Sequence, residues 1–428
     1  MKRIILTAAI LAIGFSATAQ NWEDGLRFSE NEYEGTARTM AMGNAFTALG
    51  GDMGSLGINP AGSAVARRSQ FTVTPGMNIS IARVQGEVLN DGSVAFGNKL
   101  QNDKSRFSMP NLGGMINFNT GRSRGLKNWS MGFVVNNTRS YSEEIVARGL
   151  NTRTSAFGEM AARAQYLYGY KPDDFNGKDA YDKIIFADYD LVNAFRAGAI
   201  AGTSFTTGGK TEDAFVGVTE NSTADGRIGI GAHGLNQHFG QTISGAKSDF
   251  VYNLALNISD IFFFGANIGV TSINYRSNEF LKEDAVDIED VAVDFGASGK
   301  TYFSSAKKTY SYRAEGTGVY GKFGFILTPW KGLRVGAAIQ TPTTFTVKER
   351  ISYSCETMFE DSKFSGSDTA PEGKFEYNFK APLRANFGVA YTFGKYGVVS
   401  ADYELSNYRR MYFSVPGTSD NSEFDNAN

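Results

Sequence analysis

The 428-residue chain carries 42 Lys and Arg against 44 Asp and Glu, a formal net charge of −2, with no basic excess of the kind a nucleic-acid partner normally requires. Aromatic residues at 13%, 49 glycines and only 9 prolines favour many strands joined by glycine-rich turns over a helical bundle. The single Cys355 excludes an internal disulfide, so packing and strand pairing must supply the stability.

Met1 to Gln20 divides as a secretory signal peptide does, with Lys2-Arg3 as the charged start, Ile4 to Phe15 as the apolar run and Ala17-Thr18-Ala19 as a small-residue cleavage site. Cleavage is expected after Ala19, giving a signal segment over 1–19. As a helix the apolar run reaches only about 18 Å against a hydrocarbon core of about 30 Å, so it is too short for an anchor. No later stretch reaches the roughly 18 to 20 apolar residues of a spanning helix, and a mature chain that crossed a membrane would do so as a β-barrel.

The next stretch, Gly35 to Ala66, is crowded with Gly and Ala, too small-sided to form a core alone and too apolar to lie free in water. A short helix is expected within Thr36 to Leu49, ended by Gly50-Gly51. Asn59-Pro60 forces an extended or turn conformation, because a residue before proline is pushed out of the helical region. Ala41-Met42-Gly43-Asn44-Ala45-Phe46, Gly51-Asp52 and Asn59-Pro60-Ala61-Gly62, lying between a signal peptide and a strand, resemble the N-terminal hatch of FadL/TodX-type outer-membrane transporters. Shorter patches, Gln340-Thr341-Pro342-Thr343 and Val399-Ser400-Ala401-Asp402-Tyr403, add to the likeness.

The resemblance implies an all-β fold: a transmembrane antiparallel barrel, closed at fourteen strands in that family, with a hatch over 20–66 inside a barrel built from 67–428. It implies a Gram-negative outer membrane, with outer-membrane lipid and lipopolysaccharide as surroundings. The cargo class it implies is long-chain fatty acids and other hydrophobic small molecules, passed without cofactor or catalysis. Gly57 and Gly62 bracket the proline-stiffened turn, which makes Asn59, Pro60, Ala61 and Gly62 the expected gating residues. An alternative within the same superfamily is a receptor for a cargo protein or for haemin.

Beyond the hatch, period-two alternation predicts strands over approximately 70–82, 106–119, 129–146, 249–259, 262–277, 308–328, 333–354, 373–393 and 397–414. Leu383, Ala385, Phe387, Val389, Tyr391 and Phe393 fall on one face, with Arg384, Asn386, Gly388 and Thr392 on the other. Alternation alone also fits a soluble sandwich. The expected connections after the second, fourth, sixth and eighth strands are short and the others long, which is the outer-membrane barrel pattern. Nine strands leave an odd-ended sheet followed by the polar tail Thr418 to Asn428. The chain is therefore expected to lack the barrel's C-terminal strands, unless strands in the long loops escape the reading.

The connection from about 147 to 248 is too long to be structureless. A helix is expected after Asp179 with Tyr181, Ile184, Ile185, Val192 and Phe195 on one face, and a shorter one over Phe157 to Tyr168, together forming a helical cap. His233 and His238, placed in the same loop, could ligate a metal or haem iron, but neither has a triad partner and no Gly-x-Ser-x-Gly elbow occurs. Glu283, Asp284, Asp287, Glu289, Asp290 and Asp294 form an acidic run in another loop, where a divalent ion could bridge to lipopolysaccharide. Gly299-Lys300-Thr301 and Gly209-Lys210-Thr211 lack the first glycine of a phosphate loop. Among inward-facing residues, Lys322 and Arg384 are the candidates for holding a ligand carboxylate. The register set by the Gly394 to Tyr396 turn also places Arg384 diagonally beside Glu404, which would make it half of an ion pair.

Overall fold

The computed structural model describes residues 22–32, 34–86, 99–177, 179–207, 210–222 and 228–417. The expected signal peptide and the polar tail lie outside the described residues, as do Gly209 and residues 223–227 of the long loop. One large antiparallel sheet dominates. Its main strands are β1 (Gln70–Val84), β2 (Leu100–Asn119), β3 (Leu126–Asn151), β4 (Leu235–Ile258), β5 (Phe262–Ala285), β6 (Lys300–Trp330), β7 (Leu333–Gln340), β8 (Thr344–Phe359), β9 (Gly373–Lys380), β10 (Arg384–Thr392), β11 (Val398–Ser406) and β12 (Tyr412–Ser414). Among the described residues no helix is long and apolar enough to cross a membrane.

Across its width the sheet has nine strand positions, because β7 and β8, β9 and β10, and β11 and β12 lie end to end. The 31-residue β6 pairs with β7 along one half and with β8 along the other. The strands expected over 333–354 and 373–393 are thus each split, at 341–343 and at 381–383. Pro342 and Pro382 have no N–H to give the ladder, so pairing stops at each and resumes beyond. Thr341 N donates to the Gly321 carbonyl at 2.8 Å and Ala381 N to that of Thr343 at 2.9 Å, which keeps the interruption to three residues.

Tight connections all lie at one end of the sheet: 120–125, 259–261, 331–332 and 393–397. The long ones lie at the other. At the turn end Ser259 and Asp260 both have positive φ, 60° and 59°, which matches the twist of a two-residue hairpin turn between β4 and β5.

Polarity reverses along the strands. Near the turn end the outward side chains of β6 are Val319, Phe323, Phe325 and Leu327, all exposed, while Tyr320, Lys322 and Ile326 point inward and are buried. Farther along, Arg313, Glu315 and Thr317 point outward and Tyr312 and Ala314 inward. The change occurs between adjacent rows of outward residues. Val73, Leu112, Val135, Phe250, Val270 and Val319 pair in register across six strands, and the next outward row from β6 to β3 is Thr317, Ser272, Ser248 and Asn137. On β1 and β2 outward apolar residues continue higher, with Met77, Ile79 and Phe107 exposed. From Phe262 to Val270 the apolar outer face measures about 26 Å along the strand.

At the loop end the concave side is filled by the connection between β3 and β4. Its helices α1 (Ala156–Ala162), α2 (Ala180–Lys183) and α3 (Tyr189–Arg196) bury Phe157, Met160, Leu191 and Val192 against Phe303, Ile351, Tyr353 and Phe359 of the sheet. The single helix expected after Asp179 is broken into α2, a 3₁₀ turn over Phe186–Asp188 and α3, and Ile185 is exposed. Asp179 caps nothing with its side chain. It pairs instead with Lys183 at 2.8 Å. The shorter expected helix is present as α1 followed by a π turn over Arg163–Leu167.

Candidate functional site

Residues 22–66 lie along the concave face in contact with every strand position, 34–66 near the turn end and Trp22–Ser29 toward the loop end, where Phe28 joins the apolar cluster and Tyr312 bonds Asp24. The segment has little regular structure. A helix covers Trp22–Ser29, and the one expected within Thr36 to Leu49 is only Ala37–Ala41, broken by Gly43 and Asn44 at positive φ. A backbone so irregular leaves carbonyls without partners inside the segment, and burying them unpaired would be costly. Inward side chains of the sheet satisfy them. Asn117, Asn128, Asn253 and Asn267 donate to the carbonyls of Ala66, Ala64, Pro60 and Leu56 at 2.6, 3.1, 2.9 and 2.7 Å. Lys322 donates to Gly57 at 2.8 Å, Arg334 to Leu49 at 2.6 Å, Ser400 to Ala45 at 2.6 Å, and Arg384 to Ser29. Asn78 of β1 reaches Glu34 at 3.0 Å, and the Asp402 carboxylate of β11 accepts from Thr47 N at 2.7 Å.

Asn59 is the most heavily anchored residue of the segment. It is fully buried, and its Nδ2 donates to the carbonyls of Thr47 at 2.6 Å and Phe325 at 3.1 Å, while its Oδ1 accepts from Ala61 N at 3.0 Å. Pro60, Ala61 and Gly62 follow as a buried turn ahead of the short helix Gly62–Val65. The sheet makes room by omitting side chains. Gly265 and Gly324 face each other in the ladder; a Cβ on Gly324 would lie 2.1 Å from Asn59 Oδ1, and one on Gly265 2.4 Å from the Pro60 carbonyl carbon.

Lys322 is fully buried and faces the Gly57 carbonyl. Arg384 bonds Glu404 Oε1 at 3.0 Å, and Asn386 pairs in register with Glu404, the arrangement that the turn length predicts. Both cations are thus directed at the N-terminal segment and at β11. Lys247 was not legible as a site residue. Buried in β4, it donates to the carbonyls of Phe28 at 2.7 Å and Glu30 at 3.1 Å and to Asn31 Oδ1 at 2.7 Å. Alternation predicts this strand only from 249, beyond the lysine, and a lone Lys after Gly245-Ala246 is the one local signal.

At the loop end a second polar group is enclosed in the apolar packing. Glu349 Oε1 accepts from Tyr377 at 2.5 Å and Tyr312 at 2.7 Å, and Asp24 pairs with Arg27 beside them. Burial, reinforced by the neighbouring Glu23, outweighs Arg27 and raises the Asp24 pKa above the ordinary 3.8. His238, expected in a loop, lies in β4, edge-on to Phe280. Glu283 and Asp284, expected in a loop, are in β5, and Glu283 is fully buried, accepting from Ser155, Ala156 N and Gln237. His233 is brought instead to Asp290, Nδ1 to Oδ1 2.8 Å, with Asp287 at 4.0 Å. These three ligand atoms lie within 4.8 Å of one another, but an exposed histidine–carboxylate pair accounts for the contact without an ion.

The search of protein-family models, of characterised proteins and of solved structures gives no match to this chain.

Proposed function

We propose that the chain is an outer-membrane β-barrel transporter for hydrophobic compounds such as long-chain fatty acids, with residues 22–66 as a hatch that closes its lumen. The observation that carries the proposal is the reversed polarity at the turn end. An exposed band of Val, Ile, Leu, Phe and Met covers the outer face, and asparagine, lysine and arginine line the inner one. In water such a band would be an extreme exposed patch; in a bilayer it is the lipid-facing surface of a barrel, with tight turns on the periplasmic side and long loops outside.

In this reading residues 22–66 fill the lumen of the closed barrel, so cargo passes only if the hatch moves. The pivot in this reading is Asn59-Pro60-Ala61-Gly62. Its displacement breaks the contacts of Asn59 Nδ2 with the carbonyls of Phe325 and Ala337 in the wall and of Thr47, at about 1 kcal/mol net or less each. A fatty chain of roughly fifteen methylenes leaving water supplies about 12 kcal/mol gross. That energy opens the hatch to the extent that the open state binds the chain better than the closed one.

The test is Asn59→Ala combined with Pro60→Ala in cells, scored for barrel heat-stability, fatty-acid uptake and small-ion leakage. Loss of uptake from an intact, non-leaking barrel is the expected result. Normal uptake ends the gating role, and an unfolded barrel assigns the turn to folding instead. Absence of any chain-dependent fatty-acid uptake in the wild type would overturn the transporter reading itself.

A further inference from the structure

At the turn end a cleft of about 560 Å³ opens where the N-terminal segment, the start of β1 and the turn between β10 and β11 meet. Five of its lining residues are cations: Arg38, Arg67, Arg68, Arg334 and Lys395. Among the described residues no Asp or Glu lines it. Elsewhere the cations of the molecule are commonly paired, as Lys127 is with Asp260 at 2.5 Å and Arg139 with Glu30 at 2.5 Å. None of these five has a carboxylate at ion-pair distance among the described residues. Arg334 is held in place by its bond to the Leu49 carbonyl, which uses one of its five N–H groups and leaves the others. A chain of net charge −2 that gathers five cations around one concavity, with no carboxylate among the described lining residues, has built a local positive potential.

Size and walls narrow the ligand. The volume falls in the range of sites for small organic molecules and is several times what a bare phosphate or carboxylate needs. Leu49, Val65 and Val398 add apolar wall beside the charges. We infer that the cleft binds the anionic head group, phosphate or carboxylate, of an amphiphile, with the guanidinium groups on the anion and the apolar wall against the first part of its chain. The inference stands on the cleft itself and makes no use of transport through the lumen.

The full chain, purified in a neutral maltoside detergent, is titrated calorimetrically with dodecyl phosphate and separately with inorganic phosphate. The variant Arg67→Ala/Arg68→Ala changes two exposed side chains, and Lys363→Ala, in a loop at the opposite end, is the control. Unchanged heat-dependent migration on gels checks folding of each. Expected are binding of dodecyl phosphate that weakens with salt, a loss of about tenfold or more in the double variant, and no change in the control. Equal affinity in the double variant, or no binding to the wild type, overturns the inference, and equal affinity for inorganic phosphate overturns the amphiphile assignment. Reconstitution with phosphatidylglycerol and phosphatidylcholine then separates the sources. Enrichment of phosphatidylglycerol around the wild type but not the double variant supports a membrane lipid, and dodecyl phosphate binding without that enrichment supports a free amphiphile.

Discussion

The two ends of the sheet share strands but solve opposite problems. Along β6, the residues from Val319 to Leu327 put phenylalanine and leucine outward and Lys322 inward, whereas Arg313, Glu315 and Thr317 face outward over an interior of Tyr312, Ala314 and Phe303. The loop end is built like a soluble domain, with helices α1 and α3 burying apolar faces against an apolar concave wall. The turn end is the reverse on its outer face, and its interior sets asparagine and lysine side chains, which complete the hydrogen bonding of an irregular segment, among small apolar clusters such as Met53, Leu56, Met115, Val134 and Val251. From β3 to β6 the boundary is one row of paired residues wide. Stability at the loop end therefore comes from apolar packing, and at the turn end from polar satisfaction together with small apolar clusters inside a wall whose outer surface is apolar.

The comparison can be broken most severely at Gly324. A valine there puts its Cβ against Asn59 Oδ1, and that amide cannot swing aside without losing its hydrogen bonds to Thr47, Phe325 and Ala61. Gly324→Val should release residues 22–66 from the concave face, read as rapid proteolysis of that segment while the strands and α3 stay protected. Truncating the loop-end core is next. Leu191→Ala, at a fully buried position of α3, should cost about 2–5 kcal/mol in reversible unfolding and leave the N-terminal segment protected from protease.

A paired test sharpens the boundary itself. Phe325→Arg on the outer face of β6 should destabilise the chain in lipid vesicles by about 2–4 kcal/mol, whereas Thr346→Arg on the outer face of β8 should be close to neutral. Equal effects at the two sites would remove the distinction between the halves. The smallest effect concerns the loop end alone. Asp290 beside His233 raises the imidazole pKa above its ordinary 6.5, so the stabilisation is fully present below 6.5 and is lost as pH rises through the raised value. Hydrogen exchange in 286–294, corrected for intrinsic rates, should be slower on the acid side, and His233→Ala should abolish that dependence.

The period-two pattern by itself determined where nine strand positions run and that tight turns alternate with long connections. It could do so because alternation and turn residues are local, set by the pleat and by φ. The Asn59-Pro60 turn and the Arg384–Glu404 neighbourhood were legible for the same reason, one from backbone restriction and the other from a register counted off a short turn. Pattern alone did not say where the two faces exchange roles: a strand such as β8 alternates Phe345, Val347 and Ile351 with Thr346, Lys348 and Arg350 as cleanly as any strand of the opposite sense. Only the tertiary structure decided that, because the direction of a face depends on what lies across from it: helices from residues 156–196 at one end, a glycine-rich segment with unpaired carbonyls at the other. The partners of Lys247 and Asn59 were hidden likewise, since they meet across more than two hundred residues of chain and no local pattern records which carbonyl a buried donor will reach.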